Sequence, residues 1–233
     1  METKKNTKNW TAKEENKKIT EPGVTKIHNL IIVDESGSMH TIYNAALTGM
    51  NETLNSIRRL ADECPAQAQE VTLVTFDSSH YNKIFDGTPA AKTRMLTPND
   101  YRPGGCTPLY DAMGKALTEL EPKVKEKEAV LVTVITDGYE NASCEYTLKE
   151  IRALVERLDK DGWLFSYIGA NQDAAEVGGS MGIKDTLTYE ANEESMAQMW
   201  DCQNLARDEY IKMSRSADFA PMEFKRGSFF KKK

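Results

Sequence analysis

Residues 129–138 read AVLVTVITDG, a β-branched and apolar run without polar alternation that ends on an acid and a glycine. A strand with one wet face alternates with period two. An unbroken run suits a strand covered on both faces, and sheets of such strands are parallel, with helices laid over each side. Leu30–Val33 and the stretch 163–170, WLFSYIGA, have the same character. Between these runs the period lengthens. From Ser38 to Ala61, residues Ile42, Ala45, Ala46, Met50, Leu54, Ile57 and Leu60 recur at three- and four-residue steps. A second helical stripe, Leu148, Ile151, Leu154, Val155 and Leu158, is closed by Asp161-Gly162. Strands alternating with helices predict a doubly wound, mostly parallel α/β sheet.

The rest of the chain fits that frame. EVTLVTFDS (70–78) and HYNKIFDG (80–87) read as a hairpin, which adds one antiparallel edge strand. Thr107 and Pro108 are expected as N-cap and first residue of a helix over Leu109, Met113, Ala116, Leu117 and Leu120. A short helix near 173–180, a strand near 185–189 and a last helix from about Asn192 to Met213 follow. The last helix is expected to bury Met196, Met199, Trp200, Ala206, Tyr210 and Met213. No internal repeat is visible, so residues 25–213 form one domain. Residues 1–24 are expected as a disordered polar arm with Trp10 its one large apolar side chain. Residues 214–233, ending FFKKK, are expected as a basic tail, and residues 1–22 and 225–233 as dispensable for stability.

Charge and cysteine usage narrow the function classes. The chain carries −6 overall; residues 1–26 carry +3 and residues 221–233 carry +4, which leaves −13 on the body between. An acidic body argues against nucleic acid as a partner. No apolar stretch is long enough to span a membrane, and the first residues lack the apolar core of a secretory signal, so a cytoplasmic protein is expected. Cys64, Cys106, Cys144 and Cys202 are scattered without a CxxC pair, which argues against a structural zinc site and a disulfide framework.

Ligands of open α/β sheets bind beyond the carboxyl ends of the strands, where the connections change direction. The first strand delivers Asp34, Ser36 and Ser38 to that edge in the sequence DESGS. The 129–138 strand delivers Thr136 and Asp137, and the loop GGCTPL delivers Thr107. Among them Asp34, Ser36, Ser38, Thr107 and Asp137, two carboxylates and three hydroxyls, are hard oxygen donors, suited to Mg²⁺ or Mn²⁺, with Ca²⁺ less favoured and zinc unsuited.

Here the chain resembles the von Willebrand factor type A family, which includes the integrin I domains. DESGS matches its DxSxS motif, Thr107 its threonine loop and the Asp137 of ITDG its aspartate, in the family's order and across roughly residues 25 to 213. The resemblance implies a Rossmann-like six-stranded sheet of order 3-2-1-4-5-6. It implies a metal ion-dependent adhesion site in which Ser36, Ser38 and Thr107 touch the ion, with Asp34 and Asp137 completing the shell directly or through water. It further implies a protein-binding module whose partner offers an Asp or Glu to the metal, and in some intracellular members a place in multiprotein assemblies with AAA+ ATPases. Cys106, just before Thr107, is expected to make metal binding sensitive to thiol modification.

Two other classes remain on the sequence. One is a Mg²⁺-dependent hydrolase using the same five oxygens; the other is a structural subunit whose metal stiffens the loops. DESGS does not supply the GxSxG of a nucleophile elbow, and GxxxxGK[ST] does not occur, which removes the P-loop; GGSMG at 178–182 is glycine-rich but follows a helix, which argues against a dinucleotide fingerprint. His40 stands near enough to Ser38 to be a general base or an exposed first-turn residue. Glu140 reads as a solvated turn acid or as a partner of metal-bound water. Asn171, Gln172 and Asp173 read as a helix start or as a rim beside the metal.

Overall fold

A computed structural model describes residues 23–230. The expected arm, with Trp10, lies outside the described residues except for its last two positions, and so does Lys231–Lys233. Six strands form one sheet: β1 (Lys26–Asp34), β2 (Ala68–Phe76), β3 (Tyr81–Pro89), β4 (Glu128–Thr136), β5 (Leu164–Ala170) and β6 (Asp185–Tyr189), in the order β3-β2-β1-β4-β5-β6. Every pairing is parallel except β2 with β3. β1 and β4 are the central pair, and from their second residue onward each is buried along its length, as their unbroken apolar runs require.

The helices are α1 (Tyr43–Glu63), α2 (Leu109–Leu120), α3 (Leu148–Lys160), α4 (Ala174–Ser180) and α5 (Glu193–Met213). One face of the sheet packs Leu30, Ile32, Val132 and Val134 against Leu109, Met113 and Leu117 of α2 and Ile151 and Val155 of α3. The other face packs Ile31, Val33 and Ile135 against Met50, Leu54 and Ile57 of α1 and Met196, Met199 and Trp200 of α5. α1 and α5 meet where Trp200 lies on Gly49: a Cβ there would fall 2.0 Å from the indole ring, so only glycine admits this approach.

Local chemistry explains most boundaries. α3 opens with a capping box, in which the Thr147 side chain accepts from the Glu150 N–H and Glu150 accepts from the Thr147 N–H. Asp173 caps α4 by accepting from Ala175 and Glu176, and Asn192 caps α5 by accepting from Ser195. The helix expected from Ser38 begins instead with a 3₁₀ turn, Gly37–Ile42. On α5, Met213 is 46% exposed, while Gln203 and Arg207 are fully buried. The inward row follows the three- and four-residue steps Trp200, Gln203, Arg207 and Tyr210, and its two polar members bond the Thr133 hydroxyl at 2.8 and 2.9 Å. Among the described residues no helix is long and apolar enough to cross a membrane.

The expected basic tail is corrected as far as Phe230. After α5 the chain turns under the amino ends of the strands, where Phe229 is 5% exposed and joins Ile27, Leu131, Leu164 and Tyr210. Asp185 accepts from the Gly227 and Phe229 N–H groups at 3.0 and 2.7 Å. The Arg226 guanidinium donates to the carbonyls of Asp159, Trp163 and Phe224 and pairs with the Asp159 carboxylate. Composition suggested a solvated end because the charged residues mask a Phe every five positions, at 219, 224 and 229. Phe229→Ala should cost about 3 kcal/mol, the usual penalty for emptying a buried phenylalanine site. Removal of 225–233 should cost at least as much. Denaturant melts of the full chain and the two variants measure this; unchanged midpoints would show that the segment does not contribute to the core.

Candidate functional site

The paired ends of β1 and β4 build the floor of the site. Asp34, the last residue of β1, is fully buried, and its Oδ1 accepts from the Ser36 N–H at 2.7 Å, tightening the chain into a turn. Its Oδ2 accepts from the Thr136 hydroxyl at 2.6 Å, and its backbone carbonyl accepts from the Tyr101 hydroxyl at 2.8 Å. Ser36 Oγ lies 3.2 Å from Ser38 Oγ, and Ser38 donates to Asp137 Oδ1 at 2.6 Å. These bonds tie four of the five candidate ligands into one chain, Ser36, Ser38 and Asp137 oxygen to oxygen and Asp34 through the Ser36 N–H.

Thr107 arrives from a separate loop held at both ends. Glu35, between the candidate ligands of DESGS, accepts from the Arg102 N–H through one carboxylate oxygen and pairs with His80 Nε2 at 2.9 Å through the other. The Gly104 N–H donates to the Glu35 carbonyl at 2.8 Å, and the Gly37 N–H to the Gly105 carbonyl at 3.1 Å. On its far side Thr107 donates its N–H to Asn141 Oδ1 at 2.9 Å and accepts from the Asn141 N–H at 3.2 Å. The expectation that Thr107 caps α2 is corrected: the helix starts at Leu109, and no side chain from its own N-terminus caps it. The free donors of the first turn are met by the loop after β4, with Tyr110 N–H donating to Glu140 and Asp111 N–H to Ser143. The Thr107 side chain points elsewhere.

It points over Gly138. A Cβ built on Gly138 would lie 3.3 Å from Thr107 Oγ1 and 3.9 Å from both Asp34 Oδ2 and Ser38 Oγ. Oxygens of two segments, the DESGS turn and the threonine loop, thus converge on this glycine, and Asp137 of a third joins them through Ser38, as does Ser36. Among the described residues no group of three or more His, Cys, Asp or Glu side chains is disposed to hold a metal ion. The cluster over Gly138 is of another kind, two carboxylates and three hydroxyls, whose hardness suits a hard cation of the Mg²⁺ class.

Electrostatics favour such an occupant. Burial raises Asp34 from the ordinary 3.8 to about 6, only partly offset by the bonds from Thr136 and Ser36, and the neighbouring Asp137 adds to the rise. Burial raises Asp137 as well, against the bond from Ser38. Two desolvated carboxylates side by side are costly without a counter-charge.

The remaining sequence candidates divide. His40 is exposed. Glu140 is a half-buried turn acid occupied within its own loop and by α2, its carboxylate accepting from Ala142, Ser143 and Tyr110 N–H groups and the Ser143 hydroxyl. Gln172 reaches the rim, donating from Nε2 to the Gly138 carbonyl at 3.4 Å, while Asp173 caps α4. Glu35, His80 and Asn141, which hold the loops, have no local signature; only the position of Glu35 inside DESGS marks it out.

Comparison with known proteins rests on shape. No family model matches the sequence, and no curated protein matches it either. Solved structures do match. The von Willebrand factor domain of the type V pili tip protein Mfa5 from Porphyromonas gingivalis superposes with a TM-score of 0.61 at 10% identity, over 84% of this chain and 98% of that one. The SpRpn10 VWA domain gives 0.54 at 12% identity, over 77% and 95%. The PilB minor pilin from Streptococcus sanguinis gives 0.58 at 13% identity over 81% of this chain, which spans only 62% of the pilin. At these identities the likeness is one of fold, and it agrees with the six-stranded order observed. The chain has the von Willebrand factor type A fold.

Proposed function

We propose that this protein is a divalent-metal-dependent protein-binding module. Asp34, Ser36, Ser38, Thr107 and Asp137 would hold Mg²⁺ or Mn²⁺, and a partner's Asp or Glu would complete the shell. The observation that carries this reading is the convergence of oxygens on Gly138, where Thr107 Oγ1, Asp34 Oδ2 and Ser38 Oγ all lie within 3.9 Å of one point. When bound, the cation would supply an electrophilic position open to one external oxygen, since Mg²⁺ prefers six oxygens and the chain offers five side chains. The protein's own part is to hold three loops in place through Glu35, Asn141 and Thr136.

Binding is favoured over hydrolysis because His40, the one side chain nominated as a base, is an exposed residue, and Glu140, the candidate partner of metal-bound water, is spent on four loop donors. A cytoplasmic setting is part of the proposal, supported by Cys64, Cys106 and Cys144, none of which is in a disulfide. The pilus proteins among the similar structures favour an adhesive variant of the same chemistry. In either setting the partner carboxylate on the metal is the common element, and an assembly built around an AAA+ ATPase is the intracellular form of it.

Three outcomes test the reading. Asp34→Ala, Thr107→Ala and Asp137→Ala should each weaken Mn²⁺ binding by about tenfold or more in calorimetric titration while the melting profile stays cooperative, because the ligands sit on loops above the core. Undiminished affinity in all three would end the assignment. Gly138→Ala should have a similar effect without replacing any ligand, because its methyl group would sit against Thr107 Oγ1.

The pH dependence has a definite sign. Asp34 holds its proton more tightly folded than unfolded, so it contributes stability to the metal-free fold below about 3.8 that is lost as pH rises through about 6. The loss is on the order of 3 kcal/mol. A cation favours the ionised carboxylates and reverses the trend, so the gap between melting temperatures in Mg²⁺ and in EDTA should widen from pH 5 to pH 7. A gap independent of pH would contradict a metal on Asp34.

A further inference from the structure

The two edges of the sheet are built differently. β3 is guarded: Lys83 and Asp86 stand exposed along it, its pairing with β2 is irregular, Gly87 bends it with φ +57°, and it ends on Pro89. Charges, bulges and prolines of this kind keep an edge from pairing with another chain. β6 carries no such guard. It reads Asp185-Thr186-Leu187-Thr188-Tyr189, and β5 is its only strand neighbour among the described residues. Its one charged residue, Asp185, is buried and already bonded to the Gly227 and Phe229 N–H groups.

The outward groups can be named. The Asn171 N–H donates to the Tyr189 carbonyl at 3.0 Å, so the Tyr189 backbone faces β5. Along a strand the backbone groups change sides at each residue. Asp185 and Leu187 therefore face β5 as well, and Thr186 and Thr188 turn N–H and C=O away from the sheet. Among the described residues no hydrogen bond reaches those outward groups. The side chains are sorted by face. Thr186 lies under Gly178 of α4 and Thr188 accepts from the Ala174 N–H, while Leu187 is half-buried at the margin of the core under α5.

The strand that fits this edge is the edge itself. Turned antiparallel about Leu187, a second copy sets Thr186 opposite Thr188 and Thr188 opposite Thr186, so the outward groups exchange bonds in pairs. Leu187 then meets its counterpart at the non-hydrogen-bonded position between them, where side chains come closest. Lys184 and Glu190 flank the strand at equal distance from Leu187, and both are exposed. The same rotation brings each Lys184 opposite the other copy's Glu190. Neither is held by a close ion pair among the described residues: Lys184 has Asp159 at 3.7 Å, and Glu190 accepts from the Asn192 amide at 3.2 Å.

We propose that β6 is a self-association edge, at which two copies of this chain pair antiparallel about Leu187 and join their sheets into one. Each contact occurs twice and the assembly closes at a dimer. One short strand makes a small interface, so the dimer is weak, with a dissociation constant on the order of 100 μM. Because the strands run oppositely, the carboxyl ends of the two sheets face away from each other. Under the proposed binding role the dimer would bridge two partners rather than clamp one. The pairing itself does not depend on the metal reading.

Sedimentation velocity on the full chain, from about 10 μM to about 1 mM, reads the association directly. The expected result is a monomer that passes to a dimer as concentration rises, in Mg²⁺ and in EDTA alike. Lys184→Glu and Glu190→Lys should each weaken the dimer about tenfold, because each sets like charges opposite one another twice. The double variant restores both pairs with their signs exchanged and should recover the affinity of the unaltered chain. A dimer indifferent to the single reversals, or one that the double variant fails to restore, would use another surface and overturn the proposal. A monomer at every concentration would also overturn it and leave the edge to a strand of another protein.

Discussion

At the centre of the sheet β1 runs parallel to β4 with Val33 opposite Ile135, so the two chains leave the sheet at the same height, side by side. Everything at the candidate site depends on that register. It brings Asp34 against the Thr136 hydroxyl and Ser38 against Asp137, although about a hundred residues separate the partners. A parallel pair cannot slip by one residue without turning every buried side chain to the other face. The core packing on both faces therefore holds the ligand geometry in place, and the site inherits its precision from Ile31, Val33, Val132 and Val134 beneath it.

Burial has a cost that the arrangement puts to use. Asp34 loses water and is raised to about 6. The bonds from Thr136 and from the Ser36 N–H keep its oxygens oriented without neutralising them. A fold seeking only stability would place an apolar residue at the end of β1. Keeping two carboxylates there makes sense under the proposed metal reading, in which they would balance the charge of a divalent cation.

The loops obey a division of labour. Glu35 and His80 hold the threonine loop from one side, and Asn141 holds it from the other. Glu140 and Ser143 fasten the loop after β4 to the first turn of α2, in place of the local cap that the sequence suggested. Thr107 is thereby released from capping and turned over Gly138. The side chains with no oxygen in the cluster are the ones that decide where its oxygens stand.

Much of this was legible in the chain alone. Unbroken β-branched runs and three- to four-residue stripes determined the strands, the helices and the doubly wound class, because period and burial are local properties of the sequence. DESGS, Thr107 and Asp137 named the candidate ligands, because each stands directly after a strand or before a helix. The tertiary structure alone decided two things. It put Glu35, Asn141 and Gln172 into supporting roles, since a hydrogen bond across thirty to seventy residues leaves no local pattern. It drew Arg226 and Phe229 under the sheet, where composition had suggested a solvated tail, because an aromatic ring is buried wherever the sheet leaves an apolar floor uncovered.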